Sequence, residues 1–157
     1  MTFSSKAFKA TRSVYSNPVL IGENDIVESY SEPVTYTSEM EKVANRLQCF
    51  LTLENGWDGY SAVVPKEVTI GNVMLVLDNL KDKYIKLLNE EDVVPSPYGT
   101  VSLYFEDEKS NELSIEFGKE YIGINGAING EEIIVDDLPI YQFDSAIDYI
   151  NKLTPSK

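Results

Sequence analysis

Apolar positions recur at helical spacing from Met40 to Leu51 and switch to strict alternation after Val93. In the first stretch Met40, Val43, Ala44, Leu47, Phe50 and Leu51 form one stripe, with Glu39, Lys42, Asn45, Arg46 and Gln48 between them. The tetrad S-E-M-E starting at Ser38 reads as a capping box: the Ser38 hydroxyl accepts from the Glu41 amide, and the Glu41 carboxylate accepts from the Ser38 amide. Cys49 lies beside the stripe, where a small buried thiol is the expected outcome. A second apolar face runs through Val68, Val73, Met74, Leu77, Leu80, Tyr84 and Leu88, with Pro65 suited to its first turn. This predicts one helix reaching Leu88. Gly71 inside it costs about 1 kcal/mol relative to alanine, so close packing against the first helix is expected there.

Beyond Asn89-Glu90-Glu91-Asp92 the period becomes 2. Val101, Leu103 and Phe105 alternate with Ser102, Tyr104 and Glu106; after the polar turn 107–111, Leu113, Ile115 and Phe117 alternate with Ser114 and Glu116. This predicts a hairpin apolar on one face and polar on the other. Residues 121–124 and 132–135 predict two further strands, joined by the glycine-rich run 125–130 with its turn dipeptides Asn125-Gly126 and Asn129-Gly130. A last helix, near residues 143–153, carries Phe143, Ala146, Ile147, Ile150 and Leu153 on one side.

Residues 1–37 show only short β-branched or aromatic segments separated by Pro18 and Pro33, which predicts an extended N-terminal arm with one or two edge strands. The expected organisation is the arm 1–37 followed by one domain, 38–157. Strands grouped together with helices around them predict a two-layer α+β domain: an antiparallel meander of about four strands covered by two or three helices.

Composition narrows the function. A chain of 157 residues with 43% hydrophobic residues can bury a core without staples. The lone Cys49 excludes an internal disulfide, and no apolar run approaches the length of a membrane span. The N-terminus lacks the apolar stretch of a secretory signal, so a cytoplasmic protein is expected. The chain contains no histidine, so it cannot build a Ser-His-Asp or Cys-His arrangement or a histidine metal site. No cofactor or metal is expected, and only carboxylate, hydroxyl or lysine chemistry stays open.

The net charge of −13 is unevenly spread: Lys6, Lys9 and Arg12 give the first 20 residues a local +3, leaving −16 for the rest. Between Tyr98 and Tyr149 twelve acids face only Lys109 and Lys119. Such a surface repels phosphates and anionic membranes, which argues against direct nucleic-acid or membrane binding and for a partner protein with a basic surface.

Three stretches carry candidate chemistry. In L-E-N-G-W-D-G-Y the only tryptophan, Trp57, stands with Asp58 and Tyr60 between glycines. These three residues either line a small-ligand pocket or form a packing junction in which Asp58 makes an Asx turn. The stretch lacks the alternating oxygen ligands of a calcium loop. On the polar side of the hairpin, Tyr104, Glu106, Glu108, Glu116 and Glu120 are candidates for partner contact, and paired glutamates there also suit carboxylate catalysis. G-I-N-G-A-I-N-G matches neither phosphate-loop pattern, and no lysine follows it.

The run L-E-N-G-W-D-G-Y-S-A-V-V-P, followed by P-S-P-Y-G-T-V-S-L-Y-F, resembles a group of small bacterial proteins of uncharacterised function. Their pattern is approximately L-x-x-G-W-D-G-Y-G-A-x-x-P, then P-x-x-x-G-x-[VI]-x-L-E-W. The likeness spans residues 47–117; Trp57, Asp58, Gly59, Tyr60, Ala62, Pro65 and Gly99 match. Ser61 stands where the pattern has glycine, and Tyr104-Phe105 where it has Glu-Trp. The resemblance implies a compact intracellular domain of bacterial or phage origin and no particular activity, and the missing glutamate weighs against catalysis on the hairpin. The expectation is a non-enzymatic protein-binding module: an acidic inhibitor, antitoxin, immunity or phage anti-defence protein. A ligand-binding or carboxylate-based catalytic domain at the Trp57 turn and a structural subunit of a larger assembly are the alternatives.

Overall fold

The first helix, α1 (Ser38–Phe50), begins at Ser38 as the sequence suggests, but its cap is one residue earlier than the expected Ser38. Thr37 has extended backbone, and its hydroxyl accepts from the Met40 amide at 3.4 Å, so Thr37 is the cap. The Ser38 hydroxyl is then free to donate to the adjacent Glu39 carboxylate at 3.1 Å, and the expected Ser38–Glu41 capping box does not form. The stripe Met40, Val43, Ala44, Leu47 and Phe50 is buried as predicted. Cys49 is exposed; it sits just off the stripe, so the expected buried thiol is corrected. These observations come from a computed structural model that describes residues 35–155 and Lys157. The readings made for residues 1–34, including the edge strands, lie outside the described residues.

The second apolar face does not form one helix. Helix α2 (Glu67–Asn79) ends where Leu80 and Lys81 become extended, with ψ of 141° and 143°, and a one-turn helix α3 (Asp82–Ile85) follows. The Asn79 side-chain amide donates to the Leu75 carbonyl at 2.8 Å and occupies an acceptor in the last turn. Leu80, Tyr84, Ile85, Leu87 and Leu88 are all buried. A spacing of four satisfies both a continuous helix and this broken path, which is why periodicity misread the break. The expectation for Gly71 also fails: it is exposed, and no atom lies within 4 Å of where its Cβ would be.

After a 3-10 turn at Glu90–Asp92, the chain enters a five-stranded sheet. Its strands are β1 (Val93–Pro95), β2 (Val101–Glu106), β3 (Glu112–Phe117), β4 (Tyr121–Ile128) and β5 (Glu131–Pro139). They lie in sequence order, each antiparallel to the next. The meander therefore has one strand more than expected, the short β1. The β4–β5 turn is Asn129-Gly130, both at positive φ (52° and 79°), as a tight hairpin requires. Asn125-Gly126, read from sequence as a second turn, lies inside β4. There Gly126 passes so close to β3 that a Cβ would overlap the Glu112 carbonyl oxygen.

The fold is α+β. Leu103, Phe105, Leu113, Ile115, Phe117, Ile122 and Ile124 are fully buried on one sheet face, which α2 and helix α4 (Phe143–Ile150) pack against. Each such side chain contributes about 1.5–3 kcal/mol by leaving water. The Asn72 amide fixes α2 over the β3–β4 turn by donating to the carbonyls of Gly118 and Lys119 at 2.9 Å each. The Tyr84 hydroxyl donates to the Asn151 carbonyl at 3.2 Å and ties α3 to the end of α4. That end comes at Ile150, three residues before the expected Leu153, although Leu153 is still buried.

Candidate functional site

The Trp57 loop is closed by its own polar groups. Gly56 and Gly59 take φ of 78° and 84°, which permit the sharp reversal. Asp58 Oδ1 accepts from the Tyr60 amide at 2.9 Å and the Ala62 amide at 3.2 Å, an extended Asx turn. The Gly56 amide reaches the Ala62 carbonyl at 2.8 Å, and the Trp57 indole N–H donates to the Val63 carbonyl at 3.3 Å. Val63 in turn bridges to Tyr98, its amide donating to the Pro97 carbonyl at 2.8 Å. Gly99, at φ of 81°, faces Val63, where an added Cβ would sit tightly against the Val63 side chain at 3.3 Å. The two separated parts of the sequence pattern, W-D-G-Y and P-S-P-Y-G, thus meet at one bridge.

Of the three candidate ligand residues, Trp57 and Asp58 are half-buried and engaged in this closure, while Tyr60 is 88% exposed. A shallow depression of about 650 Å³ lies alongside, lined by Tyr60, Ser61, Val63 and Lys66. Neither Trp57 nor Asp58 lines it.

The sheet face opposite the helices is the second candidate. Strand register places Tyr104 opposite Ser114, Ser114 opposite Asn125, and Asn125 opposite Ile134 in one row across it. The next row sets Glu106 directly opposite Glu112, then Ala127 and Glu132. In the third row Glu116 stands opposite Ser102 and Gly123, and its Oε1 accepts from the Thr100 hydroxyl at 2.5 Å. Strands β2 to β5 contain no lysine or arginine. Tyr104 is 47% exposed and Ile134 63%, so apolar area lies open among the acids.

The five sequence candidates do not form one cluster. Tyr104, Glu106 and Glu116 share this face, Glu108 lies in the β2–β3 turn, and Glu120 lies in the β3–β4 turn at the opposite end. Strands of this length separate those turns by roughly 17–20 Å. A concavity of about 520 Å³ runs from Asn89 and Asp92, beside β2, over Tyr104, Glu106, Glu112 and Ser114 to Asn125. Glu112, Ser114 and Asn125 were not singled out by the sequence; only strand register brings them beside Tyr104 and Glu106.

Asp107, in the wall of that concavity, was read only as part of a polar turn. It is buried, and its Oδ1 accepts from the amides of Lys109 (2.9 Å) and Asn111 (3.0 Å). Its Oδ2 accepts from the Asn111 side chain (2.9 Å) and the Thr154 amide (2.7 Å). Burial alone would raise its pKa; the hydrogen bonds from Thr154, Asn111 and Lys109 outweigh it and lower the carboxyl to about 2. The Asn111 side-chain oxygen then accepts from the Asn129 amide at 2.8 Å, joining both hairpin turns at that end of the sheet. The legible signal was an Asp and an Asn four apart in a hairpin turn.

Among the described residues no group of three His, Cys, Asp or Glu side chains is placed to hold a metal ion, and no helix is long and apolar enough to cross a membrane. No family model, curated protein or solved structure matches the chain.

Proposed function

We propose that this protein is a non-enzymatic intracellular protein-binding module that lays its solvent-facing sheet face against a basic surface of its partner. An inhibitor of the antitoxin, immunity or phage anti-defence kind acts in this way. The observation that carries the reading is the composition of that face: exposed Tyr104 and Ile134 among Glu106, Glu112, Glu116 and Glu132, on strands without a basic residue. Apolar anchors inside a single-signed charged field combine area for burial with steering toward an oppositely charged partner. The same field repels nucleic-acid phosphates, so a basic groove that normally holds nucleic acid is a fitting target and nucleic acid itself is not. The Trp57 loop supports this reading indirectly, because its indole and carboxylate close the loop and do not line the depression beside it.

The test uses the immobilised full chain to capture a partner from bacterial lysate, followed by calorimetry with the purified partner. Glu116→Lys and Ile134→Asp should each weaken binding by roughly tenfold or more, as substitutions at an interface centre do, and Lys83→Glu on the helical side should not. Raising salt should weaken binding steeply. Binding that ignores both salt and the sheet-face substitutions overturns the proposal.

A further inference from the structure

We infer that the outer edge of β5 takes up an extended, basic segment of the partner protein as a further strand of the sheet. This rests on the protein-binding reading above and adds a main-chain contact to it. The two edges of the sheet are not equivalent. At one edge β1 has three residues and ends on Pro95. Its backbone is also engaged: the Val93 amide donates to the Glu90 carbonyl, and Arg46 Nε donates to the Val93 carbonyl at 3.2 Å. Short length, proline and cover are the devices by which proteins close an edge. At the other edge β5 has nine residues, and no described strand pairs with its outer side.

Register identifies the groups left over. Ile128 and Glu131 flank the two-residue turn Asn129-Gly130, so they exchange hydrogen bonds, and bonded and non-bonded pairs alternate from there. Ile133 and Val135 therefore bond to β4, while the N–H and C=O groups of Glu132 and Ile134 point to the outer edge. None of these groups bonds to another element among the described residues. The β-branched run Ile133-Ile134-Val135 suits a strand, and Ile134, 63% exposed, offers an apolar contact. After Val135 the register slips by one residue against β4 and Asp137 takes φ of 54°. That bulge turns the strand aside and ends the usable edge.

Charge selects the occupant. Glu131, Glu132, Asp136 and Asp137 flank the apolar run, and β5 contains no cation. A second copy fits poorly: antiparallel pairing about Ile134 opposes Glu132 to Asp136 of the second copy, and like charges so placed destabilise a sheet. A strand alternating lysine or arginine with apolar residues meets the same acids with opposite charge, and its backbone extends the ladder. Main-chain bonds then supply affinity, while the acids turn away acidic strands and further copies of this chain.

The experiment titrates isotope-labelled full chain with an acetylated, amidated peptide of alternating lysine and valine, reading backbone amide shifts and hydrogen exchange. Two controls accompany it. One has glutamate in place of lysine; the other is the lysine peptide N-methylated at every residue, which keeps the charge but cannot donate to a strand. The lysine peptide should give saturable shifts centred on Glu132 and Ile134 and slow the exchange of their amides roughly tenfold or more. Both controls should bind at least roughly tenfold more weakly. Ile134→Pro removes an outward amide without breaking a bond to β4, so the spectrum should keep its dispersion while the peptide response falls by a similar factor. Ile134→Ala, which keeps that amide, should lose much less. Glu132→Lys should weaken the lysine peptide and strengthen the glutamate one.

No saturable shift below about 10 mM, an affinity too weak to hold a partner, overturns the inference, as does equal binding of the N-methylated peptide. So do Glu132 and Ile134 amides that exchange slowly in the free chain, or that slow as its concentration rises, since this chain itself then fills the edge. The two proposals fail separately. A partner whose affinity falls equally in Ile134→Ala and Ile134→Pro uses the side chain alone, which sinks the edge and leaves the sheet face standing. A partner insensitive to salt, Glu116→Lys and Ile134→Asp sinks the sheet-face reading, whatever the peptide does.

Discussion

The amide of Thr154 donates to Oδ2 of Asp107 at 2.7 Å, joining the end of the last helix to the β2–β3 turn across 47 positions of sequence. One buried carboxylate thereby fixes its own hairpin, the C-terminal segment and, through Asn111, the β4–β5 turn. Replacing Asp107 by alanine leaves three backbone amides and one side-chain amide without their acceptor. Hydrogen bonds to a charged group contribute about 1.5–3 kcal/mol each and are not additive, so a loss of about 3–4 kcal/mol is expected. Urea denaturation measures it; an unchanged midpoint would show that the network is dispensable.

The same carboxylate sets a pH dependence. Its folded pKa lies below its ordinary value of 3.8, at about 2, because the hydrogen bonds favour the charged form. A depressed carboxyl stabilises the fold fully above its unfolded pKa and loses that contribution as pH falls through the folded value. The stability difference between wild type and Asp107→Asn should therefore be constant above about pH 5 and shrink between about pH 4 and pH 2. A difference that does not change across that window contradicts the assignment.

Two glycines should respond in opposite directions to alanine. At Gly126 a methyl group would overlap the Glu112 carbonyl, and the strands must separate to admit it. A loss of about 2–4 kcal/mol is expected, in the range of overpacking and backbone strain combined. At exposed Gly71, inside α2, nothing approaches within 4 Å. Gly71→Ala should stabilise by about 0.5–1 kcal/mol through helix propensity and a less flexible unfolded chain. Thermal unfolding of the pair checks both signs.

These two positions also show what the sequence could and could not convey. Alternation at residues 101–106 and 112–117 gave the hairpin and its buried face correctly, because a sheet with one wet side imprints its period directly. The path after Asn79 was not legible, since Leu80, Tyr84 and Leu88 are buried whether the helix continues or breaks. Asn-Gly dipeptides mark turns only when the chain reverses there: Asn129-Gly130 does, while Asn125-Gly126 serves a close strand approach. Tyr104 and Glu106 were identified from alternation alone. Glu112, Ser114 and Asn125 became their neighbours only through register, a long-range relationship that local pattern does not contain.

At the Trp57 loop the expected effects are on stability. Trp57→Phe keeps an aromatic ring and removes the bond from the indole N–H to the Val63 carbonyl, for about 1 kcal/mol. Asp58→Ala removes the acceptor of two amides and should cost about 1–2 kcal/mol. Neither should alter partner affinity by more than about twofold, because neither residue lies on the sheet face. Melting curves together with calorimetry test this; a partner affinity lost in Asp58→Ala, with the fold intact, would return the loop to the position of binding site.

Glu112→Gln tests whether the sheet face is held at a cost to the isolated protein. With Glu106 directly opposite and neither carboxylate paired among the described residues, neutralising one of them should raise stability. The gain should be about 0.2–1 kcal/mol at low ionic strength, the usual size of a cross-strand pair effect. Salt separates this from a packing effect. Near 1 M the screening length falls to about 3 Å, so repulsion between exposed carboxylates largely vanishes and the variant should lose its advantage. Urea midpoints for both proteins at low and high salt decide the matter. A variant less stable than wild type, or a gain indifferent to salt, would show that the opposed carboxylates do not repel one another.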